Sequence, residues 1–518
     1  MKRRILATVL VLCLVLGLVP GTAWAAEIVA SGECGAEGDN VTWTLDSNGK
    51  LSISGTGQMA SYHAFNVHAP WYDKRNLIKS IVVADGVTYV GSEAFADCDN
   101  LLRVVLADTV ISIGSRAFEF CKNLRDISFP GVCSIGTAAF YDCSGLTSLS
   151  FPDSLALVEN IAFSGCSGLT ELTIPAKTHW IGQEFSRCTG LTSVTFLDGV
   201  NYIWGGMFLN CTNLVNVSIP STVTYISDSV FSGCSKLAHI TIPDSVKTIG
   251  SGAFRESGLT SITIPDSVTS IGDAAFYDCH ALANVTLSNK LTSIADHTFR
   301  HCDNLTNIVI PNSVASIGYA AFSGCERLQN IVIPNSVKSI GEYAFAACHS
   351  LHDIIIPDGI TSIGTSTFYD CAELESVAIP ISVTKIDSKA FDNCKSMSTV
   401  YYSGTQTQWE QIEIAVYGNE ALLNAGLHSG QTPTPPKLYG TDFTMGVDSL
   451  PFNNSFDYFN NRTYIDSELY ATFLSKLNSR EKLLHVLQYM SGLALSEDEF
   501  FGACHGIAVV MALRLSWH

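Results

Sequence analysis

Charged side chains are scarce in this chain of 518 residues. Asp, Glu, Lys and Arg make up only 15% of it, and acids outnumber bases, so that the formal net charge is −19. This acidic balance argues against nucleic acids and anionic membrane surfaces as partners. No long apolar run of the kind that spans a bilayer occurs after the amino terminus, so no membrane-spanning helix is predicted in the processed chain.

The chain is instead rich in one repeat of 22 or 23 residues, which is clearest from Ile264 to Thr286, IPDSVTSIGDAAFYDCHALANVT. Its Phe recurs fourteen times, and a Cys follows three residues later in every copy except one, where Ser257 stands. A period this constant predicts a solenoid of stacked coils. The phenylalanines are Phe95, Phe118, Phe140, Phe163, Phe185, Phe208, Phe231, Phe254, Phe276, Phe299, Phe322, Phe345, Phe368 and Phe391.

Each repeat combines one short strand with turns. The end of Leu282–Leu287 alternates between apolar and polar residues, which favours a strand with one buried face. Gly272 predicts a positive φ or a close backbone approach, and the stretch 273–279 is predicted to form one helical turn. One copy, at Ile181, is predicted to be a residue short before its Phe. The predicted fold is therefore mainly β with short helical turns, a parallel β-solenoid of about fourteen repeats.

The cysteines are predicted to be free core residues. Thirteen of the seventeen occupy the same repeat position, so they should form a buried row along the solenoid. Disulfides between neighbouring coils are the alternative, but parallel side chains suit the required torsion poorly. No His accompanies these cysteines regularly, so no metal site and no cofactor is predicted.

The pattern IPxSVTxIGxxAFxxCxxLTxIxIP resembles that of the BspA-like leucine-rich repeats of bacterial surface proteins, and the resemblance covers residues 78–402. It implies a leucine-rich-repeat solenoid in a secreted or surface-attached protein that acts in adhesion or binding. It carries no catalytic residue across.

The amino terminus predicts export. Residues 1–25 combine a basic start at Lys2, an apolar stretch and a small-x-small cleavage site at Ala23 to Ala25, as in a secretory signal peptide. Residues 26–77 are predicted to form a β cap, with a hairpin around Asp46 to Gly49. Trp71 and Tyr72 in this cap could contribute to carbohydrate binding.

The open face of the sheet is predicted from residues that lie between buried strand positions. They are mostly small and polar, so this face shows neither an aromatic platform for sugars nor a basic stripe. The predicted pairs are Arg125 and Asp126, Thr147 and Ser148, Thr170 and Glu171, Thr192 and Ser193, Val215 and Asn216, Thr306 and Asn307, Gln329 and Asn330, and His352 and Asp353.

Beyond the repeats, residues 403–428 are predicted to close the solenoid and 429–437 to form a Pro-rich linker. Residues 438–518 then show apolar residues at helical spacing and predict a small helical module. Because the apolar pattern continues to His518, we expect this module to be incomplete.

Cys504 is the candidate catalytic residue. It stands at the predicted start of a buried helix, where the helix dipole would stabilise a thiolate. The segment from Gly502 to Gly506 resembles the nucleophile segment of papain-like cysteine peptidases, although Asp498 stands where those enzymes place a Gln. The alternative is a buried Cys in a helix core. Without base or oxyanion donors, the chain as written should be inactive.

Two functions follow from the sequence. The first is a secreted or cell-surface binding scaffold, monomeric, for a host or microbial surface protein or glycan. The second is the targeting region of a cysteine hydrolase with Cys504 as nucleophile.

Overall fold

The computed structural model describes residues 26–63 and 67–431, and these form a parallel β-solenoid. The predicted signal peptide and the predicted helical module lie outside the described residues. We number the coils 1 to 14 by their phenylalanines, so that coil 1 holds Phe95 and coil 14 holds Phe391. The predicted fold class, a leucine-rich-repeat parallel β-solenoid, is confirmed.

The described chain begins with three antiparallel strands, Ile28–Gly35, Gly38–Asp46 and Lys50–Gly55. The predicted hairpin is confirmed, with Leu45 opposite Leu51 across the Asp46–Gly49 turn. The strand Lys50–Gly55 then pairs in parallel with Ser80–Val83, the first long strand that follows. The hairpin therefore covers the open edge that the first coil would otherwise expose. A 3₁₀ helix, Tyr72–Leu77, lies between these two strands in sequence.

One side of the solenoid, the long-strand side, is built from strands of three or four residues. Neighbouring coils pair in register, for example Asn307 with Asn330 and Ile308 with Ile331. The strands are Ser80–Val83, Arg103–Leu106, Asp126–Ser128, Glu171–Ile174, Ser193–Phe196, Asn216–Ser218, Ser261–Thr263, Asn284–Thr286, Asn307–Val309, Asn330–Val332, Asp353–Ile355, Ser376–Ile379, Thr399–Tyr402 and Gly426–Ser429.

A second side, the short-strand side, carries a two-residue strand in most coils and a four-residue strand, Val87–Val90, near the start. In each coil the second of these residues, such as Ile271, points into the core. The other strands of this side are Gly57–Gln58, Ser112–Ile113, Ser134–Ile135, Leu157–Val158, His179–Trp180, Tyr202–Ile203, Tyr225–Ile226, Thr248–Ile249, Ser270–Ile271, Ser293–Ile294, Ser316–Ile317, Ser339–Ile340, Ser362–Ile363, Lys385–Ile386 and Glu413–Ile414.

The core is organised by a stack of the fourteen phenylalanine rings. Consecutive ring centroids are 5.1 to 6.0 Å apart, and all fourteen side chains are buried. Trp71 extends the stack at its amino-terminal end, with its ring 5.2 Å from that of Phe95. Because each ring is covered on both faces by its neighbours, a coil gains much of its stability only when the next coil is present.

A third side, the turn ribbon, contains the residues around each Phe, and here one prediction is wrong. Residues 273–279 form tight turns rather than a helical turn. Ala274 and Asp278 have φ angles of 54° and 55°, which a right-handed helix excludes. The N–H groups of Ala274, Phe276 and Asp278 donate to carbonyls of the next coil at 2.8 to 2.9 Å, so they are not available for bonds within one helix. The expected close approach at Gly272 is confirmed, because a Cβ there would lie 2.5 Å from the backbone nitrogen of Ser251.

The prediction that coil 5 is one residue short before its Phe is also wrong. Trp180 pairs with Val158 and fills the place that Ile occupies in other coils, so the spacing to Phe185 is normal. The missing residue lies in the turn after Ile174 instead. From the sequence alone, Ile181 is predicted to be the buried strand residue of coil 5, because isoleucine usually occupies that position.

The solenoid continues past coil 14 to the end of the described residues. Glu413–Ile414 pairs with Lys385–Ile386, and Gly426–Ser429 pairs with Thr399–Tyr402. Two short helices, Gln406–Trp409 and Glu420–Asn424, connect these strands. Thr405 and Gln408 form a capping box at the start of the first helix.

Candidate functional site

The long-strand side presents the side chains that the sequence predicted for it. Arg125, Asp126, Thr170 and Glu171 are exposed, and the remaining predicted residues are exposed or half-buried. These positions precede each strand or begin it, and their side chains point away from the core. The prediction of an open polar face is confirmed at these positions.

A further row on this side was missed by sequence analysis. It consists of the outward residue between the two buried residues of each long strand, and we call it the outer row. Within each sheet the paired registers bring these residues together, and the pairing is interrupted after Ser128, Ser218 and Val332. The outer row contains Val82, Val105, Ser128, Thr173, Thr195, Ser218, Thr263, Thr286, Val309, Val332, Ile355, Ala378, Tyr401 and His428.

After Val82 and Val105 at its start, the outer row consists of Ser and Thr until coil 10, where it becomes apolar. Thr263 and Thr286 stand in coils 8 and 9, whereas Val309, Val332 and Ile355 follow in coils 10 to 12. These three apolar side chains are 48%, 63% and 40% exposed. The signal was visible in the sequence, since the strand triplet changes from Asn-Val-Thr to Asn-Ile-Val, but the prediction considered only the residues that precede this position.

Polar groups border the apolar part of the outer row. Asn307 and Asn330 flank it on the same strands, and Asp353 continues their line in coil 12. Further along, Tyr401 and His428 close the row with their rings stacked at 5.4 Å. An exposed apolar centre with a polar border is the composition of a protein-binding surface.

Histidine and acid pairs lie beside this surface. His349 Nε2 is 3.1 Å from a carboxylate oxygen of Asp370, and His352 Nε2 is 3.7 Å from Glu373. Each pair joins neighbouring coils, so it helps to hold their relative position. These pairs are partly exposed, so each contributes little to stability by itself.

The aromatic residues that the sequence proposed for carbohydrate binding have different environments. Trp71 is buried, and its Nε1 donates to the carbonyl of Ala94 at 2.8 Å. It therefore belongs to the core and is not accessible to a sugar. Tyr72 is stacked on His68 at 4.0 Å, and the Arg75 guanidinium lies 4.0 Å from its ring centre.

The cysteine row is buried and free, as predicted. From Cys121 onward each of its thiols donates to the carbonyl of a phenylalanine in the preceding coil, for example Cys325 to Phe299 at 3.2 Å. Burial raises the pKa of Cys211 to about 12 and that of Cys279 to about 11. These thiols are therefore protonated and shielded, which makes them poor nucleophiles and poor metal ligands.

Cys504, the candidate nucleophile, lies outside the described residues, and its role stays a prediction. In residues 26–63 and 67–431, no group of three or more His, Cys, Asp or Glu side chains is arranged to hold a metal ion. The same residues contain no helix with the length and apolar character needed to cross a bilayer.

Comparison with known proteins identifies related repeats. Overlapping segments match the BspA type leucine rich repeat region, at residues 71–184, 123–238, 158–283, 203–328 and 269–398. No curated protein sequence matches the chain.

Solved structures of leucine-rich repeat proteins are similar to this chain. A leucine-rich repeat protein from Bacteroides ovatus is 27% identical with a TM-score of 0.63, and the match covers 76% of this chain and 98% of that one. A leucine-rich repeat protein from Eubacterium ventriosum is also 27% identical, with a TM-score of 0.46 and coverage of 64% and 92%. A leucine rich cell surface protein from Faecalibacterium prausnitzii is 27% identical, with a TM-score of 0.40 and coverage of 72% and 96%.

Proposed function

Because the chain belongs to the family of BspA-type leucine-rich repeat proteins, we propose that it is an exported binding protein that holds a protein partner on the long-strand side of coils 10 to 14. The partner is a surface protein of a host cell or of another microbe. The protein acts outside the cell, free or attached to the cell surface, and it binds as a monomer.

The observation that carries this proposal is the apolar part of the outer row. Val309 and Val332 pair in register and Ile355 follows in the next coil, and all three are exposed in a protein whose other outward strand positions are mostly Thr, Ser and Asn. Exposed β-branched residues in register form a flat surface with little conformational entropy to lose on binding. A protein partner would bury this surface and gain about 25 cal/mol for each Å² of apolar area removed from water.

Export is supported by the predicted signal peptide at residues 1–25. A glycan partner is less well supported on this face, because the apolar residues here are aliphatic as far as Ala378. Aliphatic side chains offer no ring on which a sugar could stack.

The test compares the protein with a variant in which coils 10 to 12 carry Val309→Thr, Val332→Thr and Ile355→Thr. Thr is the residue that coils 4, 5, 8 and 9 carry in the outer row, so the variant should fold. Both proteins are incubated with cells, mucin and immobilised matrix proteins. We expect the unchanged protein to be retained and the variant to bind at least tenfold more weakly.

The matched control is Val82→Thr with Val105→Thr, which makes the same change in the same row at the other end of the solenoid. This control should bind like the unchanged protein. Retention of neither protein on any of these surfaces would count against adhesion. Equal loss in the variant and the control would show that the binding surface lies elsewhere.

A further inference from the structure

The turn ribbon of coils 8 to 12 carries a continuous line of aromatic and cationic side chains. We call this line the aromatic strip. Its ring centroids are 6.4 Å apart between Tyr277 and His297, 5.1 Å between His297 and Tyr319, and 5.5 Å between Tyr319 and Tyr343. The strip consists of Arg255, Tyr277, His297, Arg300, Tyr319 and Tyr343.

These side chains do not belong to the core. Tyr319 is 40% exposed, and Tyr277, His297 and Tyr343 are half-buried. In the described part of the chain, none of the three tyrosine hydroxyls has a hydrogen-bond partner. Other coils carry Ser at the same three positions, for example Ser323, Ser251 and Ser366, so the solenoid does not require rings there.

Arg300 gives the aromatic strip an unused hydrogen-bond donor. Its guanidinium carbon lies 5.8 Å from the centre of the Tyr277 ring, and Nη1 is 3.5 Å from Nδ1 of His297. It forms no ion pair with any described residue. Its Nε is buried without an acceptor and out of a ligand's reach, so the Nη groups are the ones left to donate to a ligand. Arg255, whose guanidinium carbon lies 4.8 Å from the centre of the same ring, differs because its Nε is paired with Glu256 at 3.0 Å.

Charge decides which ligand suits this surface. The aspartates Asp273, Asp278 and Asp296 stand on the same coils as the aromatic strip, and the whole chain carries a net charge of −19. Burial lowers the pKa of His297, so this ring is neutral at pH 7 and adds no positive charge. A polyanion, whether a nucleic acid or a sulfated polysaccharide, would be repelled.

We propose that the aromatic strip binds a neutral glycan, which lies along the solenoid with its sugar rings against Tyr277, Tyr319 and Tyr343. The C–H face of a sugar packs on an aromatic ring, whose exposed edge or face replaces the water on that side. The ligand's oxygens accept hydrogen bonds from Arg300, and its hydroxyls donate to the neighbouring carboxylates. The aromatic strip thus places aromatic rings beside hydrogen-bond donors and acceptors. This combination suits a polysaccharide, whose sugar rings carry hydroxyl groups, better than it suits a protein.

This site is separate from the surface proposed for a protein partner. The apolar outer row lies on the long-strand side, whereas the aromatic strip lies on the turn ribbon. Substitutions in one surface should therefore leave binding at the other unchanged. The two proposals can fail independently.

The experiment is affinity gel electrophoresis of the purified chain in gels that contain mannan, xylan, galactan or mixed-linkage β-glucan, with heparin as a polyanion. We expect at least one neutral polysaccharide to retard the protein. Tyr319→Ser with Tyr343→Ser should weaken that binding at least tenfold, because two of the three tyrosine rings are removed. Arg300→Ser should weaken it at least threefold.

The matched control is Tyr202→Ser with Tyr225→Thr, which removes another pair of stacked tyrosines, 5.0 Å apart on the short-strand side. It should bind like the unchanged protein, and circular dichroism should show that all variants keep their fold. The proposal is overturned if no neutral polysaccharide retards the protein, if heparin alone does, or if the strip variant and the control lose binding equally. If Tyr319→Ser with Tyr343→Ser lowers adhesion to proteins but leaves polysaccharide binding unchanged, the proposal is also overturned, and the aromatic strip binds a protein partner instead.

Discussion

Coils 5 and 9 make the same hydrogen bonds to the next coil around their phenylalanines but differ in the side chains packed beside them. In both, the residue two before Phe has a positive φ, 57° at Gln183 and 54° at Ala274. In both, the Phe N–H donates to the next coil, at 3.0 Å from Phe185 and 2.9 Å from Phe276. The hydrogen-bonding pattern between coils is therefore independent of the neighbouring side chains.

The side chains next to these phenylalanines are very different. Coil 9 has Ile271 and Ala275 at its buried positions, whereas coil 5 has Trp180 and Glu184. The Nε1 of Trp180 and the Oε2 of Glu184 are both buried without a hydrogen-bond partner. The next two ring spacings in the stack are also the widest, 5.9 and 6.0 Å, compared with 5.4 Å between Phe276 and Phe299.

This comparison shows how much irregularity a solenoid tolerates. Most contacts join neighbouring coils, so the effect of a defect fades within a few coils, and the ring spacing returns to 5.5 Å between Phe254 and Phe276. Coil 5 therefore keeps the coil geometry but at a cost in stability. Coil 9 represents the well-packed state against which that cost is measured.

The largest expected effect comes from removing the central ring of each coil. Phe276→Ala should lower the free energy of unfolding by about 3–5 kcal/mol, because flat rings on both sides leave a cavity that cannot close. Phe185→Ala should cost less, since Phe151 and Trp180 lie 6.4 and 5.5 Å from that ring and can move into the space. Urea unfolding of the two variants measures the difference.

Phe345→Ala serves as a second regular coil, with neighbouring rings at 5.4 and 5.5 Å. It should resemble Phe276→Ala. An equal or greater loss at Phe185 would show that coil 5 is packed as tightly as the regular coils.

The second effect is a pH dependence that arises from Glu184 in coil 5. Burial raises the pKa of Glu184 from 4.5 to about 7, and hydrogen bonds from the backbone, the N–H of Gly182 first among them, reduce this shift. The folded state thus prefers the protonated carboxyl. The stabilising contribution is complete below pH 4.5 and is lost as the pH rises through about 7.

Glu184→Gln should remove this dependence, because an amide cannot ionise. At pH 8 the variant should be more stable than the unchanged protein by an amount on the order of 3 kcal/mol, and at pH 4 the two should be alike. Thermal unfolding across this pH range is the measurement. Glu326→Gln, which removes an exposed carboxylate, is the control and should leave the profile unchanged. A profile that is the same with and without Glu184 would contradict the assignment.

The sequence predicts the solenoid because its period is carried by core residues that nearly every coil repeats. Phe, Cys and the buried Ile or Val each fill one core position, and Gly272 stands where a Cβ would meet backbone. The stack of rings and the free cysteines follow directly from this period. The tight turns of the turn ribbon do not, because Ala274 and Asp278 are ordinary residue types that adopt a positive φ only when the next coil supplies carbonyl acceptors.

The candidate surfaces were harder to predict for a different reason. The outer row keeps an almost constant offset from Phe, but it was missed because only the positions before it were considered. The aromatic strip joins tyrosines that are 20 or more positions apart and differ in their offset from Phe. Tyr319 stands three residues before its Phe, whereas Tyr277 stands one residue after its own. Only the turn geometry shows that such residues are neighbours. In coil 5, the unusual Ile181 masked the true register because Trp180 is rarely found at an Ile position.

The smallest effect concerns the cysteine row, which has the same environment in almost every coil. Cys325→Ala should lower the free energy of unfolding by about 1–2 kcal/mol, because it leaves a small cavity and removes the donor to the Phe299 carbonyl. Cys325→Ser keeps a hydrogen-bond donor but has a smaller side chain. If the hydrogen bond to Phe299 contributes more than the filled volume, this variant should lose less stability than Cys325→Ala. Coil 8 already has the hydroxyl, since Ser257 lies 3.3 Å from the thiol of Cys279.

Ser257→Cys is the matched reverse substitution, and it should be neutral or slightly stabilising because it restores the row. Thiol titration of the unfolded, unreduced protein should recover nearly all cysteines of the row. Oxidised cysteines in native material would contradict the free row, because a disulfide would replace the thiol-to-carbonyl hydrogen bonds. Larger losses for Cys325→Ser than for Cys325→Ala would mean that burying a hydroxyl costs more than the cavity, and that Ser257 is tolerated only because Cys279 pairs with it.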